Sequence, residues 1–292
     1  MNEQAILLNE QEFSKRTIEI LREIRTRHPL IHHITNFVVM NSTANVTLAI
    51  GASPIMAHAH EEMENMSSFA GALNLNIGTL TPYWVDSMII AGKTAGKRGI
   101  PIVLDPVGSG ATPLRTEAVK KIIAEVPVTI IRGNASEIMS LFAPEEEIKI
   151  RGVDSLETVD AVRDGAHRLA GILKKVIAIT GEVDFITNGE QAIEVHNGHP
   201  MFGLVTGTGC AATTAISCFC AVEPDPLTAA AAALGYYGLA GEEAARISKG
   251  PGSFQVALYD SLYNLSEDTM LEKLKIKPVM NLPQQSYGVS EE

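Results

Sequence analysis

Four consecutive residues, Gly207-Thr208-Gly209-Cys210, carry the densest chemistry in this 292-residue chain. They precede an uncharged stretch, Ala211 to Val222, that suits a helix, so a glycine turn opens onto a helix N-terminus. Successive backbone N–H groups at such a turn form an anion hole, and the glycines let the backbone come close to phosphate oxygens. Cys210 falls in the first helical turn, where the dipole is expected to lower a thiol's pKa and favour thiolate. Cys218 and Cys220 stand two apart, on nearly opposite sides of that helix, and are expected to pack rather than share a metal.

A second set of polar residues follows three short apolar runs. Ile100–Leu104 runs out into Asp105-Pro106-Val107-Gly108-Ser109-Gly110, and Val128–Ile131 into Arg132-Gly133-Asn134-Ala135-Ser136-Glu137. Val176–Ile179 runs out into Thr180-Gly181-Glu182. Such runs are typical of strands buried on both faces, and ligands of open parallel sheets sit beyond the carboxyl ends of the strands. Asp105 and Glu137 are then the carboxylates best placed to hold Mg²⁺, directly or through water. Taken singly, Asp105 fits a loop or cap, and Glu137 fits an acid favoured by a helix dipole. Their placement with Arg132 shifts the balance toward function.

The elements that must position these groups alternate along the chain. Helices are expected over Ser14–His28, Asn41–Ile50, Thr81–Lys97, Thr112–Val126 and Ala135–Phe142, with another running from an Asp154/Glu157 capping box to Lys174. Leu73–Ile77 adds a strand, and Phe185–Val195 a hairpin turning at Asn188-Gly189. Helices follow over Cys210–Val222, Pro226–Ile247 and Ser253–Leu265. From about Lys275 the tail lacks a period and is expected to fray. The alternation implies an α/β fold, a mostly parallel sheet covered on both faces, and no linker or repeat divides residues 1–292 into more than one domain.

Composition sets outer bounds. Apolar residues at 46% and charged ones at 20% exclude a disordered chain. A net charge of −11 argues against nucleic acid or an anionic membrane as partner, without opposing a small anion in a locally positive pocket. Three cysteines in one stretch are no disulfide framework, which points to a reducing cytoplasm. The N-terminus lacks signal-peptide order, and the uncharged run Pro200–Val222 is broken by glycines, so it is expected to form a buried loop and helix rather than a membrane span.

Several look-alikes carry less. Gly92-Lys93-Thr94 resembles the end of a Walker A motif, but Ser87 occupies the place of its first glycine. Gly207-Thr208-Gly209-Cys210-Ala211-Ala212 fits G-x-G-x-x-A, yet it lies late in the chain after a hairpin, which supports a dinucleotide dehydrogenase poorly. His32 and His33 suit a strand-end or core role better than a metal, and Met63 and Met66 suit core filling. Met56 is the exception among the methionines, because it follows Gly51-Ala52-Ser53-Pro54 where a loop enters the rim.

Six ordered segments resemble the hydroxyethylthiazole kinases, ribokinase-like enzymes of thiamine salvage. They are Ile34-Thr35-Asn36, Gly51-Ala52-Ser53-Pro54-Ile55-Met56, Leu75-Asn76-Ile77-Gly78-Thr79-Leu80, Asp105-Pro106-Val107-Gly108, Arg132-Gly133-Asn134-Ala135-Ser136-Glu137 and Gly207-Thr208-Gly209-Cys210. The resemblance implies a three-layer α/β/α fold and transfer of the γ-phosphoryl of ATP, with Mg²⁺, to the primary alcohol of 4-methyl-5-(2-hydroxyethyl)thiazole. It further implies that Met56 and Gly207 contact the thiazole with Asn36 and Val38 nearby. Arg132 and Thr180 would hold ATP phosphates, and Asp105 and Glu137 the metal. Homotrimers with active sites at subunit interfaces are implied likewise. Cys210 stands where most ribokinase-like enzymes place an aspartate base, and its thiolate is the expected acceptor of the alcohol proton, although a well-placed dipole would also serve. A hydroxymethylpyrimidine kinase, a nucleotide-dependent hydrate dehydratase and a non-catalytic nucleotide-binding regulator are the rival readings.

Overall fold

The apolar runs pair side by side into one sheet. In the computed structural model, which describes residues 8–142 and 159–279, the strands are β1 (Leu30–Ile34), β2 (Ser53–Met56), β3 (Ala72–Asn76), β4 (Ile102–Asp105), β5 (Ile130–Gly133), β6 (Val176–Ile179), β7 (Asp184–Thr187), β8 (Ala192–Val195) and β9 (Ile276–Pro278). Their order is β2-β1-β3-β4-β5-β6-β7-β8-β9. The first six are parallel, and β7 to β9 extend the sheet antiparallel.

Side chains alternate across a strand, so a run without polar alternation feeds two cores at once. Ile102 and Leu104 join one core and Val103 the other; Ile177 and Ile179 join one, Val176 and Ala178 the other. One core is covered by α1 (Glu10–Arg27), α2 (Met40–Ile50), α8 (Thr208–Cys220), α9 (Pro226–Ile247), α10 (Pro251–Asn264) and α11 (Glu267–Lys273). The other is covered by α3 (Met63–Phe69), α4 (Pro82–Lys97), α5 (Pro113–Glu125), α6 (Ala135–Met139) and α7 (Val159–Leu173). The expected three layers are present.

Helix starts follow their caps. Thr81 and Thr112 each cap a helix with proline in its first turn, and Asp225 does the same for α9. The rejected Walker-like Gly92 lies inside α4, where a Cβ would meet Val126 Cγ1 at 2.4 Å. It is a packing glycine. The run Pro200–Val222 resolves into a short 3₁₀ turn, a loop and α8, whose residues Ala211–Cys220 are all buried. Among the described residues, no helix is long and apolar enough to cross a membrane.

Three elements depart from expectation. The sequence marks β1 only through the strand-end or core role expected of His32 and His33, which their burial in it bears out, and gives β2 no expectation because Pro54 interrupts it. Both imidazoles are buried and bonded, His32 to Ser67 Oγ and the Ala57 carbonyl, His33 to Thr47 Oγ1 and Asn74 Nδ2. Pro54 is tolerated because β2 is an edge strand. Of the tail expected to fray from about 275, Ile276–Pro278 pairs with β8 with Ile276 buried, and residues 280–292 lie outside the described residues. The helix expected over Ala135–Phe142 ends at Met139. Asp154 and Glu157, the expected capping box, lie outside the described residues.

Candidate active site

Strand parity decides which polar side chains meet. Asn76, Asp105 and Arg132 each lie two residues beyond a position on the α8 and α9 side (Asn74, Val103 and Ile130), and Thr180 two beyond Ala178. Asn76 pairs in register with Asp105, and Arg132 with Ala178. Four adjacent strands therefore deliver their last polar residues to the same side of the sheet's carboxyl edge.

The N-terminus of α8 faces this row across a cavity of about 370 Å³. Asn36, Val38, Asp105, Arg132, Glu137, Gly207 and Cys210 all line it. Gly207 caps the helix at φ +86°, and a Cβ there would meet Val39 Cγ1 at 2.6 Å. A Cβ on Gly209 would lie 3.2 Å from Arg132 Nη1, so the guanidinium rests directly against the turn. An anion entering here meets both a cation and helix N-terminal amides.

Asp105 is almost fully buried at 1% exposure. Its Oδ2 accepts from Asn76 Nδ2 at 2.8 Å and Thr213 Oγ1 at 2.9 Å, with Arg132 Nη1 at 3.9 Å. Its Oδ1 is buried without a partner. Burial pushes the carboxyl up to about 6, against the pull of Arg132 and of its two hydrogen-bond donors. Asp184, beside the Gly181 amide, is likewise held up at about 6 by burial.

Glu137 and Asn134 form a capping box at the start of α6. Glu137 Oε2 accepts the Asn134 amide and Oε1 the Gly108 amide, each at 2.8 Å. Arg132 Nη2 donates to Thr180 Oγ1, which ties Thr180 to the cavity without making it a lining residue. Met56, at the end of the edge strand β2, pairs with His33 and is half-buried outside the cavity.

Cys210 corrects an expectation. It sits in the first turn of α8, yet burial and the neighbouring Asp105 push its thiol up to about 12, despite hydrogen bonds from Asn76 and Asn36 and the positive charge of Arg132. Asn36 Nδ2 donates to its Sγ at 3.6 Å. Desolvation outweighs the dipole, so the residue is a neutral thiol at neutral pH rather than a thiolate. Cys218 and Cys220 are buried packing residues, as expected.

Comparison with known proteins places this geometry. A model of the hydroxyethylthiazole kinase family matches residues 21–268. The chain belongs to the hydroxyethylthiazole kinase family. A hydroxyethylthiazole kinase of Desulfosudis oleivorans is 72% identical over 273 residues, spanning 94% of this chain and 100% of that one. The structure of a hydroxyethylthiazole kinase protein from Pyrococcus horikoshii OT3 superposes with a TM-score of 0.83 at 42% identity, covering 91% of this chain and 99% of that one. A ribokinase-like superfamily protein from Enterococcus faecalis, at 14% identity and TM-score 0.60, covers 85% of this chain and 95% of its own length and shares the fold alone.

Two polar residues of this family member escaped the sequence reading. Asn76 lay inside a motif without a role of its own, and Thr213 was hidden in an uncharged helix. The signal for Asn76 is Ala72-Leu73-Asn74-Leu75-Asn76, which places amides at two successive alternate positions of a strand buried on both faces. A polar group there must find a partner.

Proposed function

We propose that this cavity is where the chain, an alcohol-phosphorylating kinase of its family, passes the γ-phosphoryl of ATP to the primary alcohol of 4-methyl-5-(2-hydroxyethyl)thiazole, in thiamine salvage. The observation that carries this is the glycine turn of α8 facing Asp105 and Arg132 across one cavity. Arg132 and Thr180 would bind the ATP phosphates, and the amides at the α8 N-terminus would take up charge on the moving phosphoryl. Gly207 would contact the thiazole with Asn36 and Val38 nearby, Met56 would reach it across a subunit interface, and the two ends of the reaction would meet at Cys210.

Mg²⁺ fits the residues present. Asp105 lines the cavity with an unpartnered, buried Oδ1, the hard oxygen that this cation prefers. Glu137 would act through water, since both its oxygens already hold backbone amides. Among the described residues no cluster of three or more His, Cys, Asp or Glu could hold a metal. When bound, Mg²⁺ neutralises charge between the transferring phosphates.

Phosphoryl transfer runs through a loose transition state in which positioning and electrostatics dominate. The alcohol keeps its proton until the new P–O bond is largely made and then passes it to an oxygen of the transferred phosphoryl group or to water, so no strong base is needed. Cys210 then contributes as a neutral thiol dipole beside the accepting hydroxyl.

A homotrimer with interface sites is the quaternary reading. It is supported by Met56 at the sheet edge and by the exposure of Phe37 and Val38, 63% and 64%, beside the cavity-lining Asn36. Cytoplasmic residence accords with three free thiols.

One assay separates this function from its rivals: ATP consumption with the thiazole alcohol, the pyrimidine alcohol, hydrated NADH or no acceptor. Turnover confined to the thiazole alcohol is expected; preference for another acceptor overturns the reading. Sedimentation at working concentration should give three chains per particle.

A further inference from the structure

We propose that Asn76 is a positioning residue for phosphoryl transfer: with Thr213 it immobilises one oxygen of Asp105, leaving the other free of protein donors, and it anchors Asn36 over Cys210. The inference deepens the kinase reading and rests on it.

The hydrogen bonds around Asn76 fix its amide without ambiguity. Its Oδ1 accepts from Asn36 Nδ2 at 2.8 Å and from the Gly78 amide at 3.0 Å. Its Nδ2 donates to Asp105 Oδ2 at 2.8 Å. A flipped amide would set donor against donor on one side and acceptor against acceptor on the other. Asn76 itself is buried, so water does not replace these partners.

The consequences reach both ends of the cavity. At Asp105, Thr213 Oγ1 adds a second donor at 2.9 Å to the same Oδ2, while Oδ1 receives none. Unequal loading of the two oxygens locks the carboxyl's rotation and keeps Oδ1 without a protein donor. At the other end, Asn36 spends one N–H on Asn76 and turns the other to Cys210 Sγ, and its Oδ1 accepts the Val38 amide. Asn76 thus ties the thiazole-side loop after β1 to the phosphate-side carboxylate on β4. Gly78 closes the arrangement, since a Cβ there would lie 2.5 Å from Asn36 Nδ2.

The test uses the full-length protein with ATP, Mg²⁺ and the thiazole alcohol. Asn76→Ala is expected to lower kcat at least about tenfold while the KM for ATP stays within about threefold, because Arg132 and Thr180 are untouched. Thr213→Val should show the same split, and Thr213→Ser should restore turnover. The double variant Asn76→Ala/Thr213→Val should lose less than the product of the single losses, because both donors act on one oxygen. Wild-type kcat in either single variant, multiplicative losses, or no recovery with Thr213→Ser overturns the proposal. If Asn76→Ala fails to fold by circular dichroism, the Thr213 pair decides alone. Crystal structures of the variants read the geometry independently of any acceptor. A rotated Asp105 carboxyl is expected in both, and an unmoved one overturns the proposal. Failure of wild-type enzyme to phosphorylate the thiazole alcohol counts instead against the kinase reading.

Discussion

Glu137 accepts the backbone amide of Gly108 at 2.8 Å, across the gap between the loops that follow β4 and β5. Its other oxygen caps its own helix at Asn134. The carboxylate is therefore a strut between two cavity walls as well as a candidate partner of metal-bound water.

Glu137→Ala should accordingly cost both stability and rate. Two amides lose their acceptor, a loss of about 1–2 kcal/mol. Thermal melts should show a drop of a few degrees, alongside a fall in kcat. Glu137→Gln can still satisfy Gly108 but turns an N–H toward the Asn134 amide, so it should fall between the two. Unchanged melting in Glu137→Ala would remove the strut.

Cys210→Ala should reduce kcat at saturating ATP and thiazole alcohol by much less than the roughly 10²–10⁴-fold typical of a deleted general base. The thiol, pushed up to about 12, carries no appreciable negative charge at pH 7 to be lost. Alkylation by iodoacetamide offers a second measurement, because the other two cysteines are buried. Its rate should still be climbing above pH 9, and a plateau near pH 7 would restore the thiolate.

Gly207→Ala should damage catalysis out of proportion to the methyl it adds. The residue lies at φ +86°, where a side chain costs roughly 1–2 kcal/mol, and the new Cβ would press on Val39 Cγ1. Relief requires moving the turn whose amides are proposed to face the phosphoryl. Steady-state kinetics should show kcat lowered more than about tenfold with the fold retained by circular dichroism.

Acidification should expose the buried imidazole under the site. His33, fully buried, has its pKa lowered to about 3 by desolvation and by neighbouring His32. Its unfolded pKa is about 6.5, so the unfolded chain binds the extra proton first as pH falls. Its contribution is complete above about 6.5 and is lost as pH drops from there toward 3, at about 1.4 kcal/mol per unit. Asp105 and Asp184, raised to about 6, work in the opposite sense: their contribution is present at low pH and is lost as pH rises through about 6. Comparing wild type with His33→Gln in denaturant melts at pH 7.5 and 5.5 isolates the histidine. The wild type should lose about 1.4 kcal/mol more than the variant over that interval.

Much of the layout was legible because buried parallel strands are short apolar runs that end in polar residues. Asp105, Arg132 and Glu137 could be assigned to one rim from that pattern alone. The hairpin at Asn188-Gly189 and helix α9 between Asp225 and Ile247 were equally plain from turn and cap residues. The extent of strand β1 was not legible, although the strand-end or core role expected of His32 and His33 holds, because their partners are distant in sequence. The charge state of Cys210 was misjudged for a related reason. A helix dipole is visible in a sequence, whereas the burial that overrides it, and the charge of Asp105 that adds to it, come from segments distant along the chain.

Helix α8 is walled in by the sheet and α9 along Ala211–Cys220, with small residues at most positions. A rod so confined can neither slide nor roll, which makes its N-terminal amides a fixed electrostatic environment rather than one that must reorganise as charge moves. The reorganisation energy that water would demand is met during folding instead. Sensitivity of the reaction should therefore extend to Ile216 and Phe219, well down the helix from any substrate, through the aim of the turn they hold in place.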